Sequence, residues 1–213
     1  LVHTLRDDKG HFIIVASIDC TGHGVPGAFM SLIGNKALNE IVNERKVTDP
    51  AKILDQLNHN IQTTLKQHQT NNNDGMDVCL CKLEFGAKGM VNLTFAGAKN
   101  PLYYSDQTKE GIQVIKGSRK SIGGFRSMKS SVIFENKKLT LQKGDCIYLT
   151  TDGLIDQNNT KRKKFGTIKL MDILNNIKSM DMADQREMLE GALEIHMDSE
   201  DQRDDITFWG IKF

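Results

Sequence analysis

No apolar run reaches the length of about 18 residues that a membrane-spanning helix needs, and residues 1–9 lack the apolar centre of a secretory signal. A soluble chain is expected. Charge excess is also missing: 28 basic against 27 acidic side chains leave a formal net charge of +1, which gives no general attraction for nucleic acid or anionic lipid. The basic run Lys161-Arg162-Lys163-Lys164 is local and reads as a solvated loop. Of the four cysteines, Cys79 and Cys81 have no second closely spaced pair to complete a zinc site, so all four read as reduced residues, Cys20 and Cys146 included. Reduced thiols point to a cytoplasmic protein. There is no internal repeat and no low-complexity segment. An initiator methionine is lacking too, and the expectation is a fragment of a longer protein.

What is present suits one ordinary globular domain: 213 residues, 38% apolar and 26% charged, enough for a sizeable core. The apolar, branched run Phe12 to Ile18 is too short for a helix and predicts a buried strand ending at Asp19. Three glycines and Pro26 then break regular structure, and a helix is expected from Gly27 or Ala28 to about Arg45, burying Phe29, Met30, Leu32, Ile33, Ala37, Leu38, Ile41 and Val42. Asp49-Pro50 caps a second helix running to about His68. His59 and His68 lack partners at ligand spacing and read as surface residues.

Strands follow at Met76 to Phe85, Met90 to Gly97, Pro101 to Ser105, Ile112 to Ile115, Ser131 to Phe134, Leu139 to Leu141 and Cys146 to Thr151. Helices at Ile168 to Ile177 and Asp184 to His196 precede a last strand, Ile206 to Phe213. Segregated blocks of strands and helices argue for a layered α+β domain rather than alternating βαβ units.

Three aspartate sites share one local design, a carboxylate at the end or start of a buried strand: Asp19, Asp152 beside Gly153, and Asp204-Asp205. Any one alone would serve as a turn or cap residue. Brought to one sheet edge, they would need cations or protons to neutralise them, and all-oxygen ligation without a histidine or cysteine cluster favours Mg2+ or Mn2+ over zinc. Two such ions about 3.5–4 Å apart could generate a hydroxide and clamp a phosphoryl group.

With these residues in view, the blocks Asp19 to Met30 (D-C-T-G-H-G-V-P-G-A-F-M), Asp74 to Val78, Phe95 to Tyr103, Ser121 to Gly124, Gly144 to Gln157 and Asp204 to Thr207 resemble the SpoIIE/RsbU branch of the metal-dependent PPM serine/threonine phosphatases. The blocks keep the family's order and span nearly the whole chain. The resemblance implies an αββα sandwich, a binuclear Mn2+/Mg2+ centre, and hydrolysis of phosphoserine or phosphothreonine in a protein substrate. It matches Asp19 to the metal-bridging aspartate and Cys20 to a position whose backbone carbonyl faces a metal. Asp152 and Asp204 match the T-D-G and D-D-x-T aspartates. Gly153 would permit close packing beside the metals, and Asp205 either orients a ligand or caps the turn. His23 is either a general acid or the residue that orients the helix start, and its offset from the histidine that stands next to the bridging aspartate in the family's eukaryotic branch favours the latter. Asp77 stays ambiguous, because no metal role follows from its spacing.

One family motif is missing: the G-D-F/Y aspartate expected before the first strand. Only Asp7 and Asp8 stand there, in what reads as a hairpin turn, so the motif is expected upstream of Leu1. The resemblance further implies an N-terminal sensor or receiver domain, with residues 28–68 carrying its signal, admits a homodimer, and allows the parent protein to be membrane-anchored. The alternative is a non-catalytic phosphoprotein-binding or signalling module on the same fold, its acidic set incomplete by nature.

Overall fold

The computed structural model describes residues 2–6, 12–22, 24–124 and 134–213. Two antiparallel sheets lie face to face between two helical layers, the expected αββα order. The first sheet runs β1 (Val2–Arg6), β2 (Phe12–Cys20), β3 (Gly75–Phe85), β4 (Val91–Ala98), β8 (Lys137–Leu141). The second runs β10 (Phe208–Lys212), β9 (Cys146–Thr150), β5 (Leu102–Ser105), β6 (Ile112–Ile115). A two-residue strand, β7 (Ile122–Gly123), adds to the start of β3.

Strand alternation builds the layers. On β2, Ile14 and Ile18 face the helices α1 (Gly24–Asn39) and α2 (Pro50–Thr64), where they meet Leu54, Ile61 and Leu80. Val15 points the other way, into the layer between the sheets, with Cys79, Cys81, Phe95, Ile147 and Leu149. Tyr148 on the outer face of β9 packs with Leu170 of α4 (Thr167–Ile177) and Leu189 of α5 (Met182–Met197). Among the described residues no helix is long and apolar enough to cross a membrane. The four cysteines are free thiols, three of them buried.

Several boundaries differ from expectation for physical reasons. The strand carrying Asp19 runs on to Cys20, because Asp19 and Cys20 still pair with Asp77 and Met76. Helix α1 begins at Gly24, earlier than the glycines suggested, since Pro26 falls in its first turn where a missing N–H is harmless. Its end widens into a π-helical turn, Glu40–Glu44. Phe29 and Leu32 were expected in the core but are 62% and 66% exposed, as is Val25 at 69%. Periodicity marked them as apolar, yet the contact face is narrower than the apolar stripe and runs through Gly27, Met30, Gly34, Ala37 and Leu38. Asp49 caps α2 as expected, accepting from Lys52 N at 3.0 Å. His59 and His68 are exposed. Three of the labelled elements went unforeseen: β1, the two-residue β7, and the single turn α3 (Asp152–Asp156). The turn expected at residues 7–10 and the strand expected at 131–133 lie outside the described residues; Phe134 is buried but not in a strand.

Candidate metal centre

The inter-sheet face of β2 reads Ile13, Val15, Ser17, Asp19, and that of β3 reads Leu83, Cys81, Cys79, Asp77. Both rows are apolar along most of their length and end in a carboxylate, and the register sets Asp19 directly opposite Asp77. From the other sheet, β9 ends at Thr150 and delivers Asp152 to the same end of the sandwich. The loop 201–205 completes the cleft. Asp19, Cys20, Asp77, Lys99, Ser121, Asp152, Arg203, Asp204 and Asp205 line a volume of about 450 Å3.

Five carboxylates in one cleft repel one another, and the structure shows where that pressure falls. Burial pushes the Asp19 carboxyl up to about 7, with the Asp152 charge, a hydrogen bond to Asp152, and the charges of Asp204 and Asp77 adding to it. Asp77 is relieved differently: Lys99 Nζ donates to its Oδ2 at 2.6 Å. That hydrogen bond raises the Lys99 ammonium above its ordinary range, burial opposes the rise, and the Asp77, Asp152 and Asp19 charges add to it. Lys99 sits in the left-handed region at φ 63°, immediately after β4, so a strained backbone position holds the cation over the cleft.

Close backbone approach shapes both walls. A Cβ on Gly27 would collide with the Gly22 carbonyl, so α1 can pack tightly on the turn after Cys20 only with glycine there. A Cβ on Gly153 would lie 2.5 Å from the Asp205 carbonyl oxygen, which fits the close packing expected at that position. Thr21 ties the same turn to β3: Gly75 N donates to its Oγ1 at 2.9 Å, and Thr21 N to Gly75 O at 2.9 Å.

The loop carrying Asp204 is held by side chains. Thr151 N donates to Thr207 O (3.0 Å), Thr207 N to Thr151 Oγ1 (2.9 Å), and Thr151 Oγ1 to Asp205 O (3.0 Å). Gln157, 1% exposed just beyond α3, donates Nε2 to Asp201 O at 3.0 Å and accepts from Arg203 N at 3.3 Å. Asp205 N donates to Asp204 Oδ1 at 2.8 Å, so the backbone of Asp205 fixes the Asp204 carboxylate. His23 lies outside the described residues.

Asp19, Asp152 and Asp204 thus share one cleft with Cys20, Asp77, Gly153 and Asp205 around it. Among the described residues, no three acidic, histidine or cysteine side chains stand at ligand spacing around one point. The donor set nevertheless suits a hard divalent cation. It is all oxygen, Asp19 and Asp152 line the same cleft and their charges interact, and among the described residues the buried Ser17 Oγ, one pleat below Asp19, has no partner. Burial raises the Cys20 thiol, which keeps it neutral and leaves the backbone carbonyl as that residue's hard donor. Sequence reasoning missed Lys99, Thr151 and Gln157, because a hydrogen-bond partner 22 to 54 positions away leaves no local pattern.

The family model described as Stage II sporulation protein E (SpoIIE) matches residues 8–213. No curated protein sequence matches the chain. Among solved structures, the chain is similar to the SiaA-PP2C domain of Pseudomonas aeruginosa, at 29% identity and TM-score 0.83, covering 100% of this chain and 80% of that one. It also resembles the PP2C phosphatase domain with a regulatory fragment of SpoIIE from Bacillus subtilis, at 15% identity and TM-score 0.74, covering 100% of this chain and 57% of that one. RsbX in complex with magnesium follows at 15% identity and TM-score 0.62, covering 99% and 84%. The last two likenesses speak for the fold alone.

Proposed function

The chain belongs to the SpoIIE family, and from that premise we propose that it is a metal-dependent protein serine/threonine phosphatase acting on a phosphoprotein in bacterial signalling. The observation that carries the reading is the convergence of Asp19, near the end of β2, and Asp152, just past the end of β9, in a cleft that holds three more carboxylates. Such a concentration of negative charge is a site awaiting cations.

Asp19, Asp152 and Asp204, with the Cys20 carbonyl, would hold Mn2+ or Mg2+ as a pair; RsbX, of the same fold, is in complex with magnesium. When bound, the ions would supply an activated water and neutralise phosphoryl charge. The chain's own residues do the rest. Asp19 is fixed within β2 and Asp152 directly after β9 at the start of α3, Gln157 and Thr151 hold the loop that carries the third carboxylate, and Lys99 offsets part of the Asp77 charge. The open cleft admits a phosphorylated side chain presented on a protein surface.

A fourth acid is proposed to come from upstream. Val2 pairs with Ser17 and His3 with Ala16, so in a longer chain the residue two positions before Val2 would stand opposite Asp19. That is where the G-D-F/Y motif would act. The parent protein is further proposed to carry an N-terminal sensor or receiver domain and to work in the cytoplasm, with the homodimer left to be tested. The Bacillus subtilis neighbour includes a fragment of its regulatory domain.

One observation favours the non-catalytic module: the absence, among the described residues, of a complete ligand trio. Phosphate release from phosphoserine peptides by an upstream-extended chain, with and without Mn2+, separates the two. Mn2+-dependent turnover that falls by about 100- to 1,000-fold or more in Asp152→Asn supports the phosphatase. Absence of turnover across peptides and metals overturns it.

A further inference from the structure

The basic run between α3 and α4 folds into a small hairpin. Asn158 and Lys164 bridge antiparallel, Asn159 N donates to Lys163 O at 3.0 Å, and Arg162 N donates to Asn159 O at 2.7 Å. Asn159 Oδ1 accepts from Lys161 N at 3.0 Å and Lys163 N at 2.9 Å. The loop is therefore hydrogen-bonded from within, and its cations stand on a fixed frame. Lys164 pairs with Asp156 at 2.9 Å. Lys161, Arg162 and Lys163 are exposed and have no ion pair among the described residues. Arg162 occupies the left-handed region at φ 59°, which glycine or asparagine would take more easily, so a charged tip is kept at a cost in strain.

The hairpin's base reaches the lip of the metal cleft. With its amide turned so that both groups are satisfied, Asn158 accepts from Arg203 Nη1 at 2.9 Å and donates to Arg162 O at 3.3 Å. Arg203 lines the cleft beside Asp204, and its other neighbour is Glu200 at 3.6 Å. Three unpaired cations thus sit beside a cleft whose floor holds five carboxylates, in a chain whose formal net charge is only +1.

We propose that this hairpin, Asn158 to Lys164, is a docking surface for an acidic stretch of the phosphoprotein substrate, a proposal that rests on the phosphatase reading of the cleft. The floor repels acidic peptide, so acidic residues can be recognised only beside it. The hairpin extends about two residues, or about 7 Å, past Asn158. The recognised acids therefore flank the phosphoserine along the peptide and do not enter the cleft with it. A nucleic-acid platform would interleave aromatics with the cations, and a bilayer-binding loop would add exposed apolar residues. The hairpin itself carries neither, and the adjoining Phe165 is 3% exposed and packs inward; the exposed Ile168 stands beyond it, in the first turn of α4.

The test uses the full-length protein, its triple variant Lys161→Glu/Arg162→Glu/Lys163→Glu, and two labelled phosphoserine peptides with glutamate or glutamine flanks. Fluorescence anisotropy reads docking, and p-nitrophenyl phosphate turnover reads the chemistry. Expected is about tenfold tighter binding of the glutamate peptide, fading between about 50 and about 300 mM salt and lost in the variant. Turnover of p-nitrophenyl phosphate and the melting temperature stay unchanged. Equal binding of both peptides by the native protein, or a preference that survives charge reversal, overturns the proposal. So does variant-sensitive binding to phosphatidylserine vesicles without a peptide preference. If the preference holds but p-nitrophenyl phosphate is not hydrolysed, docking stands and the phosphatase reading falls.

Discussion

The two walls of the cleft are built by different means. Asp19 and Asp77 sit within β2 and β3, where neighbouring backbone hydrogen bonds fix their positions whatever their charge. Asp204 sits on a loop outside any strand, placed by Gln157, Thr151 and the backbone of Asp205. One wall can lose a carboxylate and keep its shape; the other keeps its carboxylate only while its supports last. Function should therefore fall on both sides, while stability responds in opposite directions.

Asp19→Asn gives the largest expected effect. Metal-dependent turnover should fall by about 100- to 1,000-fold or more, because a bridging carboxylate is gone. The metal-free fold should become more stable at pH 8, where native Asp19 is ionised against its neighbours. After discounting for screening at this partly buried site, about 1 kcal/mol remains, or about 2–4 °C in a thermal melt. A lower melting temperature would break the contrast between the walls.

Gln157→Ala comes next, on the opposite wall. It removes the partner of Asp201 O and Arg203 N, and because water reaches that exposed loop the cost is about 1 kcal/mol for each hydrogen bond lost. Metal affinity, read by calorimetry, should fall about 10- to 100-fold together with the melting temperature. Unchanged affinity would mean that the loop is placed by Thr151 alone.

The smallest effect is a pH slope that belongs to the strand wall. The Asp19 carboxyl titrates near 7 in the folded chain against 3.8 as its ordinary value. Below pH 3.8 both states hold the proton and the contribution is fully present; as pH rises toward 7 the unfolded chain releases it first and folded-state stability drains away. Urea midpoints of the metal-free chain should therefore fall between about pH 4 and 7. Asp19→Asn should lose that slope, and saturating Mg2+ should oppose it.

Much of this was legible beforehand, and the reasons differ by element. Strand alternation and the Asp49-Pro50 cap are local, so β3, β4, β6 and α2 followed from their own residues. Asp19 and Asp152 were visible because each interrupts an apolar run where a strand ends. The extent of burial on α1 was not visible, since a stripe of apolar residues says nothing about how much of it a neighbour covers; Phe29 and Leu32 stayed outside. Lys99 and Gln157 were hidden because their partners are set by the packing of two sheets and a loop, which no spacing encodes. The short α3 carries too few residues to show a period.

Asp19 belongs to one sheet and Asp152 follows directly on a strand of the other, and the layer between the sheets is chiefly apolar. At this end of the sandwich a proton held between the two acids would act as a clasp between two leaves. Exchanging it for a divalent ion would close the leaves more firmly by the same event that readies the cleft for chemistry, so the stiffness of the domain and its competence would be one property, set by the concentration of metal around it.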